Sequence, residues 1–170
     1  MVTCVAWSSS GRGARLGLLS WYATGSASGR VVIWNAKTRE SVVSFDAGGA
    51  VRSLAFSPDG NHLAAGLDRG QLSVFSVTQD PTLAPPNNVL PRFHAAVAGE
   101  LRAAVTAVSY SPDGRVLAAG DGLGNLELYR CRVSGANRRT YRRRAKCVGH
   151  CSAVLHVDWS ADSRVARSSS

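Results

Sequence analysis

Val51-Arg52-Ser53-Leu54-Ala55-Phe56-Ser57-Pro58-Asp59-Gly60 is followed, 54 residues later, by Val105-Thr106-Ala107-Val108-Ser109-Tyr110-Ser111-Pro112-Asp113-Gly114. Both read Val, two residues, Leu or Val, one residue, an aromatic, then Ser. The pattern occurs twice more, at Val2-Thr3-Cys4-Val5-Ala6-Trp7-Ser8 and Val154-Leu155-His156-Val157-Asp158-Trp159-Ser160. The four starts lie 49, 54 and 49 residues apart. One copy would carry little weight; four in register identify an internal repeat.

The residues after each copy give the repeat its structure. Ser57-Pro58-Asp59-Gly60 and Ser111-Pro112-Asp113-Gly114 are β-turn sequences, with Pro presetting φ and Gly accepting the dihedrals after it. Ser8-Ser9-Ser10-Gly11 and Ser160-Ala161-Asp162-Ser163 are weaker forms of the same turn. A short strand of small apolar residues comes next: Tyr22-Ala23-Thr24-Gly25, Leu63-Ala64-Ala65-Gly66 and Leu117-Ala118-Ala119-Gly120. A glycine-containing turn then leads to a third strand ending in an aromatic: Val31 to Trp34, Leu72 to Phe75 and Leu126 to Tyr129. Alternation with period 2, rich in β-branched and aromatic residues, predicts half-buried antiparallel strands. A fourth strand is expected at Ser41 to Phe45, near Val89-Leu90, and at Ala145 to Val148.

Four antiparallel strands every 49 to 54 residues, with no helical pattern, describe the blades of a β-propeller. The fold expected is therefore all-β: an incomplete propeller of about three and a half blades. The blades fall at residues 1–46 (with a loop insert around Gly11 to Gly17), 47–100, 101–148 and, as the start of a fourth, 149–170. Propellers typically close with four to eight blades. The chain thus reads as a fragment whose remaining blades are missing. Alone it is expected to be poorly soluble or oligomeric, because open apolar sheet faces associate.

The units resemble WD repeats. Trp34-Asn35 stands for the Trp-Asp dipeptide and Gly149-His150 for the Gly-His that opens a unit; Phe75-Ser76 and Tyr129-Arg130 are degenerate versions. The run from Tyr141 to Ser163, with Lys146-Cys147, Gly149-His150, His156-Val157-Asp158-Trp159-Ser160 and Asp162-Ser163, is similar to the echinoderm microtubule-associated protein-like family. That resemblance implies a non-catalytic, cytoplasmic and cytoskeleton-associated interaction scaffold with tubulin or microtubules as partner. One departure stands out. WD units place an Asp in the turn after the second strand, as acceptor for the repeat His. Here the aligned positions are Ser28, Arg69 and Leu123, with Asp68 and Asp121 out of register, so His150 is expected to lack that acceptor.

Composition agrees with a folded chain: 170 residues, 45% hydrophobic and 18% charged. No apolar run approaches the roughly 18 residues of a membrane-spanning helix. The N-terminus has no basic region ahead of an apolar stretch, which argues against a secretory signal. Four cysteines are too sparse for a disulfide scaffold and point to a reducing compartment.

The net charge of +9 is localised. Arg130, Arg132, Arg138, Arg139, Arg142, Arg143, Arg144 and Lys146 are eight positive charges in 17 residues with no acid among them. The remainder is close to neutral. The block is expected on a loop between the third and fourth strands of unit three. As a solvated loop it needs no partner. As a docking site, Arg138, Arg139, Arg142, Arg143 and Arg144 would grip carboxylates through paired hydrogen bonds. A generic scaffold role, or binding of RNA or another polyanion through arginine–phosphate contacts, is the alternative; Tyr141 is the one aromatic within Arg138 to Arg144, so stacking platforms are not evident.

Other chemistries find weak support. Cys147, His150, Cys151 and His156 are ligand types within ten residues, but the adjacent His150-Cys151 departs from zinc spacing, and repeat structure explains Cys147 and His150. Gly25-Ser26-Ala27-Ser28-Gly29 misses the nucleophile-elbow spacing, and Gly120-Asp121-Gly122-Leu123-Gly124 precedes a strand rather than the helix a phosphate cradle needs. No enzyme activity, metal or cofactor is expected. Trp7, Phe56, Tyr110 and Trp159 occupy one repeat position and are expected to pack between blades. With Trp34, Gly149, His150 and Asp158 they make the structural repeat set.

Overall fold

The computed structural model describes residues 1–8, 21–79, 89–97, 101–134 and 138–170, with the side chains of 78–79, 89–94, 134 and 138 left out. The insert expected around Gly11 to Gly17 falls outside the described residues. The described chain is all-β. Three four-stranded antiparallel sheets are followed by a two-stranded one. The first holds β1 (Val2–Trp7), β2 (Trp21–Ser26), β3 (Arg30–Asn35) and β4 (Ser41–Asp46). The second holds β5 (Val51–Phe56), β6 (His62–Leu67), β7 (Leu72–Gln79) and β8 (Val89–Val97). The third holds β9 (Val105–Tyr110), β10 (Val116–Asp121), β11 (Leu126–Ser134) and β12 (Arg138–Cys147). β13 (His156–Trp159) and β14 (Ala166–Ser169) pair alone. Among the described residues no helix is long and apolar enough to cross a membrane.

Each sheet is a meander with neighbours paired in chain order, as consecutive hairpins dictate. The first strands face one another: β5 packs against both β1 and β9, and β13 against β9. The blades therefore radiate from their first strands, and the fourth strand of each is the outer one.

The Ser-Pro-Asp-Gly turns are built as the sequence implies. Ser57 Oγ donates to Asp59 Oδ1, the Ser57 carbonyl accepts from Gly60 N, and Gly60 sits at φ 72°; Ser111, Asp113 and Gly114 repeat this, with φ 68° at Gly114. Asp121, fully buried, closes the next turn by accepting from Leu123 N and from both the backbone and side-chain nitrogens of Asn125. Asn35 Oδ1 likewise holds the amides of Lys37 and Thr38.

A joint recurs between blades. The last glycine of each small-residue strand lies under the first valine of the next blade. A Cβ at Gly25 would stand 2.6 Å from Val51 Cγ1, one at Gly66 2.7 Å from Val105 Cγ1, and one at Gly120 2.5 Å from Val154 Cγ1. The same valines accept hydrogen bonds at their carbonyls: Thr3 Oγ1 donates to Val51 at 2.6 Å, Ser53 Oγ to Val105 at 2.7 Å, and Thr106 Oγ1 to Val154 at 2.6 Å. Close packing and a satisfied buried carbonyl thus coincide at every step. The repeat keeps its leading valine because the preceding blade has a hole for it.

Candidate protein-interaction surface

The third and fourth strands of the third blade differ from the expected layout. The arginine block is not a loop before a short strand at Ala145 to Val148. It is the strand: β12 runs from Arg138 to Cys147 and stops before Val148. β11 is correspondingly long and carries Arg130 and Arg132. Alternation then decides what each charge does, since successive side chains in a strand point to opposite faces.

One face is turned towards the second blade. Arg139, Tyr141 and Arg143 lie opposite Val133, Cys131 and Tyr129. Arg139 is 6% exposed. Its Nη2 donates to Asp59 Oδ2 at 2.6 Å, and its Nη1 to the Gly114 carbonyl at 3.0 Å. It ties the Ser-Pro-Asp-Gly turn of the second blade to that of the third. Burial pushes the Asp59 carboxyl upward, but hydrogen bonds from Ser57 and Arg139 and the guanidinium charge overcome it, leaving its pKa below the ordinary value. Tyr141 packs into the core shared by the two blades, its hydroxyl 3.0 Å from that of Tyr110. Burial holds the Tyr141 phenol and the Cys131 thiol each at about 12, so both are neutral.

Arg143 Nη1 donates to Glu127 Oε1 at 3.2 Å. Glu127 is fully buried and also accepts from the Tyr129 hydroxyl. The sequence block holds no acid, but the fold imports two, Asp59 and Glu127. Arg139 and Arg143 are therefore structural cations.

The other face keeps its charge. Arg142 is the direct cross-strand partner of Arg130, and Arg132 lies opposite Thr140 one pleat further along. A register shift between Leu128 and Tyr129 leaves Arg144 as the extra residue of a bulge, opposite no residue of β11. Arg130, Arg132, Arg142 and Arg144 are exposed, and none makes an ion pair among the described residues. Arg138 opens β12, and its side chain lies outside those described. Sequence reasoning put all five arginines of the 138–144 block together. The structure divides them, and adds Arg130 and Arg132 to the open set. The signal is the alternation itself, which carries information only where the block forms a strand.

The repeat residues take varied places. Phe56 and Tyr110 are buried between blades, and Trp159 is partly buried against Val154 and Val157. Trp7 is 62% exposed. It lies 5.1 Å from the ring of Tyr22, which stacks 6.0 Å from Trp34, making an aromatic ladder across β1, β2 and β3. Trp34 Nε1 donates to Thr24 Oγ1 at 2.9 Å. His150 Nε2 is 2.7 Å from Ser168 Oγ, next to the exposed Gly149. Asp158, exposed, sits 3.3 Å from His156 Nδ1 and 3.7 Å from Arg167 Nη2. Cys147 and Cys151 are exposed thiols. Among the described residues no cluster of three His, Cys, Asp or Glu side chains is placed to hold a metal ion.

Comparison with known proteins agrees with this architecture. The family profile described as the echinoderm microtubule-associated protein second beta-propeller matches residues 18–170. The chain is 31% identical over 134 residues to echinoderm microtubule-associated protein-like 2 of Rattus norvegicus, covering 78% of this chain and 18% of that protein. The Homo sapiens counterpart is 29% identical over the same length. The 77 kDa echinoderm microtubule-associated protein of Strongylocentrotus purpuratus is 41% identical over 63 residues, 37% of this chain and 9% of that protein. The chain thus spans about a fifth of the length of the first of these relatives. It belongs to the echinoderm microtubule-associated protein family of WD-repeat β-propellers, and corresponds to part of the second propeller.

Proposed function

We propose that the chain is a non-catalytic, cytoskeleton-associated interaction scaffold of the cytoplasm, and that the open arginine face of the third blade docks an acidic protein surface, with tubulin or the microtubule as partner. The relatives' names supply the context. The observation that carries the reading is the direct pairing of Arg130 with Arg142. Like charges directly opposite one another destabilise a sheet, and a partner's carboxylates would remove that cost while forming paired guanidinium hydrogen bonds. Charge of this kind steers association and weakens with salt.

The test is co-sedimentation with taxol-stabilised microtubules across a salt series. The chain should pellet at low salt and release as salt rises. Arg130→Ser/Arg142→Ser/Arg144→Ser should abolish pelleting, whereas Arg115→Ser, on an exposed turn, should not. Pelleting unchanged by the triple substitution refutes the reading. Competition by single-stranded RNA that removes the chain from microtubules through the same arginines would favour the polyanion alternative instead.

A further inference from the structure

We infer that β12 is a strand-addition site for an extended acidic peptide segment of the partner. The inference rests on the docking role of the arginine face and specifies how the partner is held. β12 lies at the edge of its sheet, in the order β12-β11-β10-β9, and pairs with β11 alone among the described strands. It has ten residues, roughly 30 Å of strand at 3.3 Å per residue. That is long for an edge, and edges of this length are templates for another chain. Each strand turns alternate backbone N–H and C=O groups outward, so an added strand finds a ladder of partners before any side chain is considered.

The side chains select what can be added. A segment beside β12 places every second residue on the face that carries Arg142, Arg130 and Arg132. Acidic residues at those alternate positions meet unneutralised guanidiniums; apolar or basic ones do not. The opposite face of β12 is already committed, through Arg139 to Asp59 and Arg143 to Glu127. The first bond holds the strand against the second blade and the second ties it to β11 of its own sheet, and together they keep its edge presented. The bulge at Arg144 raises the local twist, so the added strand would run from Arg138 towards Arg142 rather than along the full length. Nucleic acid meets the same charges but has no use for the backbone ladder, which is why the occupant is a peptide.

The experiment uses the full chain and two synthetic 12-residue Glu-rich peptides. They are identical except that one is N-methylated at alternate amides, which keeps every carboxylate and blocks strand pairing. Binding is read by fluorescence anisotropy. The unmodified peptide should bind, with affinity lowered at least tenfold by N-methylation and at least tenfold by Arg130→Ser/Arg142→Ser, the variant's fold being checked by circular dichroism. Equal binding of both peptides overturns strand addition and leaves electrostatic docking standing. No binding of either overturns it too, returning the β12 arginines to plain edge protection. The docking role itself is judged by microtubule pelleting, so the two failures are told apart.

Discussion

Arg139 and Asp59 are 80 residues apart in sequence and 2.6 Å apart in space, joining the outer strand of one blade to the first turn of its neighbour. The guanidinium is buried and the carboxylate about a third exposed. Breaking a buried pair costs several kcal/mol, and Asp59's access to water reduces that. Arg139→Ala should therefore destabilise the chain by about 2 kcal/mol, with the Gly114 carbonyl losing its donor as well. A double-mutant cycle with Asp59→Ala in urea unfolding should give a coupling above about 0.5 kcal/mol; additive effects would show that the two residues act separately.

The same pair gives the chain an acid limb. Asp59 titrates below its ordinary 3.8 in the folded state, so the unfolded chain binds its proton more readily. The stabilisation is present above pH about 4 and is lost as pH falls through the folded value. Asp113, lowered by the Ser111 hydroxyl and the Arg115 amide against its own desolvation, behaves alike. Urea midpoints from pH 7 to 2.5 should fall more steeply for the natural chain than for Asp59→Asn, and parallel curves would contradict the assignment.

The blade joint makes a steric prediction. Gly120→Ala puts a methyl 2.5 Å from Val154 Cγ1 and 2.6 Å from its Cβ. Backbone must shift, at a cost of about 1–3 kcal/mol as for other overpacked cores. Adding Val154→Ala should recover part of the loss, because it removes the Cγ1 contact while the 2.6 Å approach to Cβ remains. A melt of the double variant lower than that of Gly120→Ala would show that the valine is not the obstruction.

The hydroxyl half of the joint can be removed without changing its shape. Thr106→Val keeps the volume and deletes the donor to the Val154 carbonyl. The cost should be about 1–2 kcal/mol, since the carbonyl of the fully buried Val154 is left without this donor. Thr106→Ser should retain most of the stability. Equal melts for Val and Ser at this position would assign the contact no energetic role.

Much of this fold was legible in sequence because propeller blades repeat their solution. Val51, Val105 and Val154 announced first strands, and the Pro-Asp-Gly turns fixed where they end. The pairings between blades stayed hidden. Nothing near Arg139 in sequence names Asp59, and nothing near Arg143 requires Glu127 to be buried. A run of arginines reads as solvated because alternation is masked by charge at six of the nine positions from Arg138 to Lys146. Asp121 illustrates a smaller miss: set aside as out of register with the usual turn aspartate, it is fully buried and closes its own turn. The glycines were visible, but their purpose was not, because the atom each leaves room for lies in the next repeat.

The repeated joint also constrains the order of events on the ribosome. Thr3, Ser53 and Thr106 find their acceptors 48, 52 and 48 residues further on. The first strand of a blade therefore waits until about fifty more residues have been made before its hydroxyl meets its acceptor, roughly 3–10 s at ordinary synthesis rates. The glycine pocket of the second strand waits for less, since Val51, Val105 and Val154 follow Gly25, Gly66 and Gly120 by 26, 39 and 34 residues, so each blade depends on its successor's arrival, and a pause in translation within that window leaves the most recent apolar face uncovered for longest.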